Sequence, residues 1–533
     1  MKPFDSSGAF LPAADGHGLR SLAVRGVGAT VLSSGFGSAI QVIATVILAR
    51  LLTPADFGVV GMVTTFSLLL VNFGANGFTE AVIQRGEIDH ALASNLFWIS
   101  IGAGVSLTIG FASAGTLLSW FYREPRVAHI AVGISATIFI ASTSVLHVAL
   151  LCRAMRFAVV SSNNIFAVAV SVIVSIFLAW AGWGYWALVA GAVAQPLSKS
   201  IGAWCLCRWI PGLPQRVAGT ASMVRFAMNV YGRFSFNYSA QNMDNLLVGW
   251  RFSAQALGLY KKAYDLFAFS GTMFVSSITT VAVSALSRFD RGSLQYRRYL
   301  LSALAVTAFV GMGVGADLTL VGQDVIRLLL GKGWAESGRI FAFFGPGIGV
   351  MLLYGTHAWI HLSIGRPERW LRWGMIEFAF TGLLFLLALP WGPPGIAMAW
   401  TASFWILTIP ALWYAGRPIH LKVSPVIAAI WKYVVASALA GCVCAGVTRR
   451  LPSLIGLPDA LEAFARIVVI SGLFGALYLG AVILLHRGCA PLYQVAGLVR
   501  EMVPRGRFSK ASLVRPLATA VEARNSSTGT QGY

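Results

Sequence analysis

The residues able to do chemistry in this chain are polar groups set inside otherwise apolar stretches. The richest run is Arg233, Asn237, Gln241 and Asp244, at steps of four, four and three, which places them on one helical face. Ser34, Ser38, Gln41 and Thr45 share a face in the same way, as do Thr65, Asn72, Asn76 and Glu80, and Asp265, Thr272, Ser276 and Thr280. An arginine fork donates paired hydrogen bonds to phosphate-type oxygens. Amide and hydroxyl side chains both donate and accept, which suits a hydroxyl-rich ligand. The carboxylates Glu80, Asp244 and Asp265, with Glu377, are able to carry a proton or a sodium ion. Arg233 and Asp244 are 11 residues apart, about 16 Å of helical rise, so each needs another partner. For the Ser and Thr groups, plain helix–helix hydrogen bonding competes with a ligand role.

Weaker patterns point elsewhere. His357 and His361 have metal-ligand spacing but no accompanying carboxylate, so packing or cavity lining is the expected role. Gly331-Lys-Gly-Trp lacks the GxxxxGK[ST] phosphate loop. The pairs Cys205/Cys207 and Cys442/Cys444 alternate sides within apolar runs, and no disulfide framework, metal or cofactor is expected. Lys199 reads as a snorkelling cation, and Arg50, Arg251, Lys261 and Lys262 near the outer ends read equally as a solvated rim or as ligand contacts.

What must position these groups is a membrane. The 533 residues are 57% hydrophobic and 11% charged, with mean hydropathy +0.73, which excludes a soluble enzyme of this size. The expected fold class is all-α and polytopic. Fourteen spans are expected, near 27–48, 59–80, 92–118, 127–150, 157–180, 185–206, 223–250, 263–286, 300–321, 336–363, 371–390, 394–415, 426–447 and 465–486. The first 26 residues are polar and are not read as a cleavable signal. The net charge of +21 would suit nucleic acid in a soluble chain. Here no soluble module exists to hold it. Placing both termini in the cytoplasm puts 26 of the 40 Lys and Arg on inside segments, which is the positive-inside pattern.

Two strings recur at six-span offsets. Arg50 to Gly58 follows the first span and Arg251 to Gly258 the seventh; Trp183-Gly-Tyr-Trp follows the fifth and Trp391-Gly-Pro-Pro the eleventh. An even repeat gives two parallel six-helix lobes. The expected organisation is a segment over 1–26, an N-lobe over 27–207, a linker over 208–222, a C-lobe over 223–416, two further helices over 417–487 and a basic tail over 488–533. The four polar stripes fall on spans 1, 2, 7 and 8, as two lobes facing a central polar cavity would require.

Four strings then carry a resemblance: LARLLTPADFGVVGMVTTF from Leu48, AVIQR from Ala81, QNMDNLLVG from Gln241 and ALGLYKKAYDL from Ala256. They resemble the polysaccharide transporter family, the Wzx-type flippases of the multidrug/oligosaccharidyl-lipid/polysaccharide exporter superfamily. The resemblance covers the first ten spans, with Arg50, Asp56 and Gly58 matching one motif and Asn242, Asp244 and Asn245 another. The family pattern has Arg where Gln241 stands, which weakens a direct ligand role there. The resemblance implies a flippase of the bacterial inner membrane. It would move undecaprenyl-pyrophosphate-linked oligosaccharide to the periplasmic leaflet for lipopolysaccharide or exopolysaccharide assembly. Its partners would be the lipid-linked glycan, membrane lipids, a polysaccharide polymerase and export machinery. Arg50 and Arg233 would then attract the pyrophosphate, while Gln41, Asn72, Asn76 and Asn237 contact sugar hydroxyls. A multidrug exporter of the same superfamily is the first alternative. A membrane glycan polymerase or ligase is the second, although no loop here is long enough for its usual catalytic segment.

Overall fold

The computed structural model describes residues 3–11, 16–75, 77–215, 217, 219–290, 292–448 and 459–489, with side chains over the same residues except 16–29, 31–32, 75, 272–278, 280–281 and 367. Asn76, the side chains of Thr272, Ser276 and Thr280, and the tail from residue 490 lie outside the described residues.

In hydrocarbon every peptide group must find its partner within its own segment, so the apolar stretches fold as helices. The first half runs α1 (Gly16–Leu51), α2 (Pro54–Ala75), α3 (Phe78–Gln84), α4 (His90–Ser113), α5 (Gly115–Tyr122), α6 (Arg126–Ser142), α7 (Val145–Arg153), α8 (Phe157–Trp180) and α9 (Tyr185–Cys207). The second runs α10 (Thr220–Gln241), α11 (Met243–Arg251), α12 (Ala254–Leu286), α13 (Leu294–Leu330), α14 (Ala335–Gly355), α15 (His357–Ser363), α16 (Pro367–Ala388) and α17 (Gly392–Gly416). Helices α18 (Val423–Thr448) and α19 (Asp459–His486) complete the order. Among the described residues no strand occurs, and the chain is an all-α, multi-pass membrane protein.

Ten helical segments of the described residues are long and apolar enough to cross a membrane, and one of them, Glu368–Ile419, contains both α16 and α17. The helices outside that set are α5, α9, α10 with α11, and α12. The last three are the expected crossings 6, 7 and 8. They carry Lys199, then Arg225, Arg233 and Asp244, then Lys261, Lys262 and Asp265, so their composition is that of walls wetted on one side. Several expected crossings are broken rods: α2/α3, α6/α7, α10/α11 and α14/α15. The breaks after α6 and α14 occupy matching places in the two halves.

Packing repeats between the halves. In residues 27–207, α2 and α4 pack on α6, α6 on α9, and α9 on α8. In residues 223–416, α12 and α13 pack on α14, α14 on α17, and α17 on α16. One pairing differs. Helix α1 lies against α8, whereas a cavity separates much of α10 from α16.

The two halves meet at the N-termini of α2 and α12. A β-carbon on Gly58 would stand 1.6 Å from the Ala254 carbonyl oxygen, and one on Gly258 would stand 1.9 Å from the Pro54 carbonyl oxygen. The repeated string of the sequence therefore ends, in both copies, on the glycine that lets the helices touch backbone to backbone. Beside this contact the Trp334 indole donates to the Ala49 carbonyl at 2.8 Å.

Helix α19 is fastened along α13 by polar contacts. Arg327 pairs with Asp459 at 2.7 Å and Arg466 with Asp324 at 3.2 Å. Ser471 donates to Asp317 at 3.0 Å, and the Tyr478 hydroxyl to the Phe309 carbonyl at 2.7 Å. Residues Met1–Ala481 form one compact unit, and a second begins at Val482.

Candidate functional site

Helix α10 has two faces. Met223 and Ala227 are buried, and the following Tyr231 and Tyr238 donate to the Leu69 and Thr65 carbonyls of α2 at 3.0 and 2.9 Å. This face holds α10 to α2 and α3 of the first half, with Gly77 against the Ala227 backbone. Residues two positions further on project about 200° away. Arg233 is one of these, and with Asn237 and Gln241, all three exposed, it lines a cavity of about 760 Å³.

That cavity lies within the second half, between α10, α14, α15, α16 and α17. Its wall is aromatic where α10 meets α16, with Phe236 and Phe378 edge to face at 5.6 Å. Trp400 and Phe385 form a second such pair at 5.2 Å. Glu377 of α16 and Tyr354 of α14 both reach in. Tyr354 accepts from the Trp373 indole at 2.8 Å. His357 also lines the space; its Nδ1 lies 2.6 Å from the Tyr354 carbonyl. An arginine, a carboxylate, two amides and aromatic faces thus surround one volume of small-ligand size. The guanidinium suits phosphate oxygens, the amides and carboxylate suit hydroxyls, and the rings suit the apolar faces of sugar rings.

The sequence places Asp244 on the same helical face as Arg233, and the structure corrects this. Helix α10 stops at Gln241, and Asn242 (φ −116°, ψ 10°) turns the chain before α11. Asp244 consequently points away from the cavity and is fully buried. Its Oδ2 accepts from the Tyr260 hydroxyl at 2.8 Å and the Trp400 indole at 2.9 Å, and its Oδ1 from the Asn245 N–H at 2.7 Å. It joins α11 to α12 and α17, and through Trp400 it backs the cavity wall.

The other expected site residues are dispersed. Arg50 is exposed at the end of α1 and donates to the Leu328 carbonyl at 2.9 Å. Gln41 is exposed on α1, and Asn72 donates to the Leu68 carbonyl of its own helix at 2.7 Å. Thr65 likewise turns to its own backbone, at Gly61, at 2.9 Å. Glu80 is exposed on α3, and Asp265 pairs with Lys262 at 3.2 Å. None of these six lines the cavity. Of the expected set the structure gathers Arg233 and Asn237. It adds Tyr354 and Trp400, which no polar-stripe signature marks, and places on the same cavity Glu377, named from sequence for ion carriage, and His357, expected to pack or line a cavity. Among the described residues no His, Cys, Asp or Glu group has metal-binding geometry.

The solved structure of the lipid II flippase MurJ, inward closed conformation, matches with TM-score 0.67 at 14% identity, over 86% of this chain and 98% of that one. An inward-facing multidrug resistance MATE family transporter of the MOP superfamily matches with TM-score 0.57 at 14% identity, over 72% and 94%. The chain therefore shares the fold of these two solved structures.

Residues 47–339 match the model of the family described as polysaccharide biosynthesis protein, and the chain belongs to that family. The teichuronic acid biosynthesis protein TuaB of Bacillus subtilis (strain 168) is 23% identical over 72% of this chain and 80% of that protein. The succinoglycan biosynthesis transport protein ExoT of Rhizobium meliloti (strain 1021) is 19% identical over 67% and 72%. The lipopolysaccharide biosynthesis protein WzxC of Escherichia coli (strain K12) is 21% identical over 57% and 62%.

Proposed function

We propose that this protein is a flippase for lipid-linked oligosaccharide, carrying undecaprenyl-pyrophosphate-linked repeat units from the cytoplasmic to the periplasmic leaflet of the inner membrane. The observation that carries the reading is the cavity of the second half. It combines one arginine, amide side chains and aromatic walls within a family of polysaccharide biosynthesis proteins. Arg233 meets the pyrophosphate, and Asn237 and Glu377 meet sugar hydroxyls. The polyprenyl tail needs no polar site and stays in lipid while the head group passes between two openings of the lobes. Arg50, Gln41 and Asn72 stand outside this cavity, and the proposal rests on Arg233 and Asn237. The six-helix lobes over 27–207 and 223–416 are the bodies that would move, with the linker over 208–222 between them.

The test is flipping of a fluorescent undecaprenyl-pyrophosphate-linked glycan by purified protein in liposomes. A charge-assisted hydrogen bond is worth about 1.5–3 kcal/mol, so Arg233→Ala should lose about ten- to hundredfold in rate. Arg50→Ala, whose guanidinium is held by a backbone carbonyl, should stay near wild type. Wild-type flipping by Arg233→Ala at normal expression would overturn the reading.

A further inference from the structure

The polar face of α10 does not begin at Arg233. Arg225, Asn229, Arg233, Asn237 and Gln241 follow one another at strict steps of four. All five are exposed. Their ladder climbs about 24 Å and advances about 40° around the helix at each step. Among the described residues none of the five side chains is hydrogen-bonded to another group. The top of the ladder is the cavity described above. Its foot, Arg225, borders a separate groove of about 980 Å³ between α4, the inter-lobe linker and the start of α10.

That groove is built for an amphipathic occupant. Asn95 clamps the linker, accepting from the Gln215 N–H at 2.8 Å and donating to the Gln215 carbonyl at 2.6 Å. Trp98 donates its indole N–H to the Gly212 carbonyl at 2.8 Å and is 42% exposed, the posture of an aromatic residue at a membrane surface. Ile99, Val217 and Val224 line the groove, and Arg225 supplies its cation. By the positive-inside placement of the linker, it opens at the cytoplasmic leaflet.

We propose that this groove is the loading site for the pyrophosphate head of the lipid-linked substrate, and that the α10 ladder leads the head from Arg225 to Arg233. The proposal rests on the flippase reading above. An arginine at each end with the Asn229 amide between offers a dianion donors at intervals of about 6 Å, without a charge buried at any step. The apolar wall of the groove accommodates the first isoprene units, which a free phosphate would leave unused.

The probe is farnesyl pyrophosphate, a soluble polyprenyl diphosphate, binding to the full-length protein in nanodiscs of neutral lipid. Wild type should bind, Arg225→Ala should bind about tenfold or more weakly, and Arg225→Lys should fall between, because it keeps the charge and loses the fork. In liposome flipping, Arg225→Ala should raise the half-saturating substrate concentration with little change in maximal rate, whereas Arg233→Ala lowers the maximal rate. Unchanged probe binding by Arg225→Ala, with loss by Arg233→Ala, would overturn the loading site and leave the flippase reading standing. Failure of wild type to bind or flip would overturn both. Equal competition by phosphatidylglycerol would overturn the loading site in favour of a general anionic-lipid site.

Discussion

At the scale of the residue, the contrast between Arg233 and Asp244 is instructive. Both are charged groups in one apolar stretch, and the sequence treats them alike. Arg233 opens onto a cavity, while Asp244 is enclosed by a tyrosine hydroxyl, an indole N–H and a backbone N–H. Removing the carboxylate would strand the Tyr260 and Trp400 donors, a loss of about 1–3 kcal/mol for each group left unpaired. Asp244→Ala should therefore lower the thermal stability of the purified protein in detergent, and Asp244→Asn, which keeps one acceptor, should lower it less. Equal stability of Asp244→Ala and wild type would show that the three-helix junction does not depend on this group. Glu377 makes the opposite case. It borders open volume beside Tyr354. Glu377→Gln should then leave stability near wild type and reduce flipping in the liposome assay.

At the scale of the element, the contact of α2 with α12 joins the halves. Gly58 and Gly258 each face a carbonyl oxygen closer than any side chain tolerates. A methyl group at either place forces the helix ends apart, and overpacking of this kind costs about 1–3 kcal/mol. Gly58→Ala and Gly258→Ala should each lower the melting temperature, and the double variant should lose less than the sum, because one separation relieves both clashes. Additive losses would mean the two contacts are independent. The helix breaks belong to this scale too. The periodicity of apolar residues runs through Asn242 and Thr356 without a mark, so the expected single spans 7 and 10 are, in the structure, pairs of shorter helices. No proline stands at either break, and only the local backbone shows it.

At the scale of the whole molecule, the basic surplus predicts an orientation that chemistry is able to check. Cys489, exposed just beyond α19, should lie in the cytoplasm if the charge bias orients the chain. With the other cysteines replaced by serine, a membrane-impermeant maleimide should label Cys489 in inside-out vesicles and not in spheroplasts. Labelling in spheroplasts would reverse the topology and, with it, the direction in which the α10 ladder is read.

Composition alone determined the solvent, because hydrocarbon admits a backbone only when each apolar segment satisfies its own hydrogen bonds. From that it followed that the apolar segments are helices, and the repeated motif ends on the glycines that bring α2 and α12 together. Polar spacing also marked Arg233 and Asn237. What the tertiary structure decided is which polar groups share a space. Periodicity assigns a residue to a face of its own helix and says nothing of what that face meets. Thr65 and Asn72 turned to their own backbone, Asp244 to two neutral donors, and Arg50 to a carbonyl of α13. The cavity exists because α10 is held to α2 by two tyrosines and stands away from α16, a departure from the repeat that only long-range packing creates.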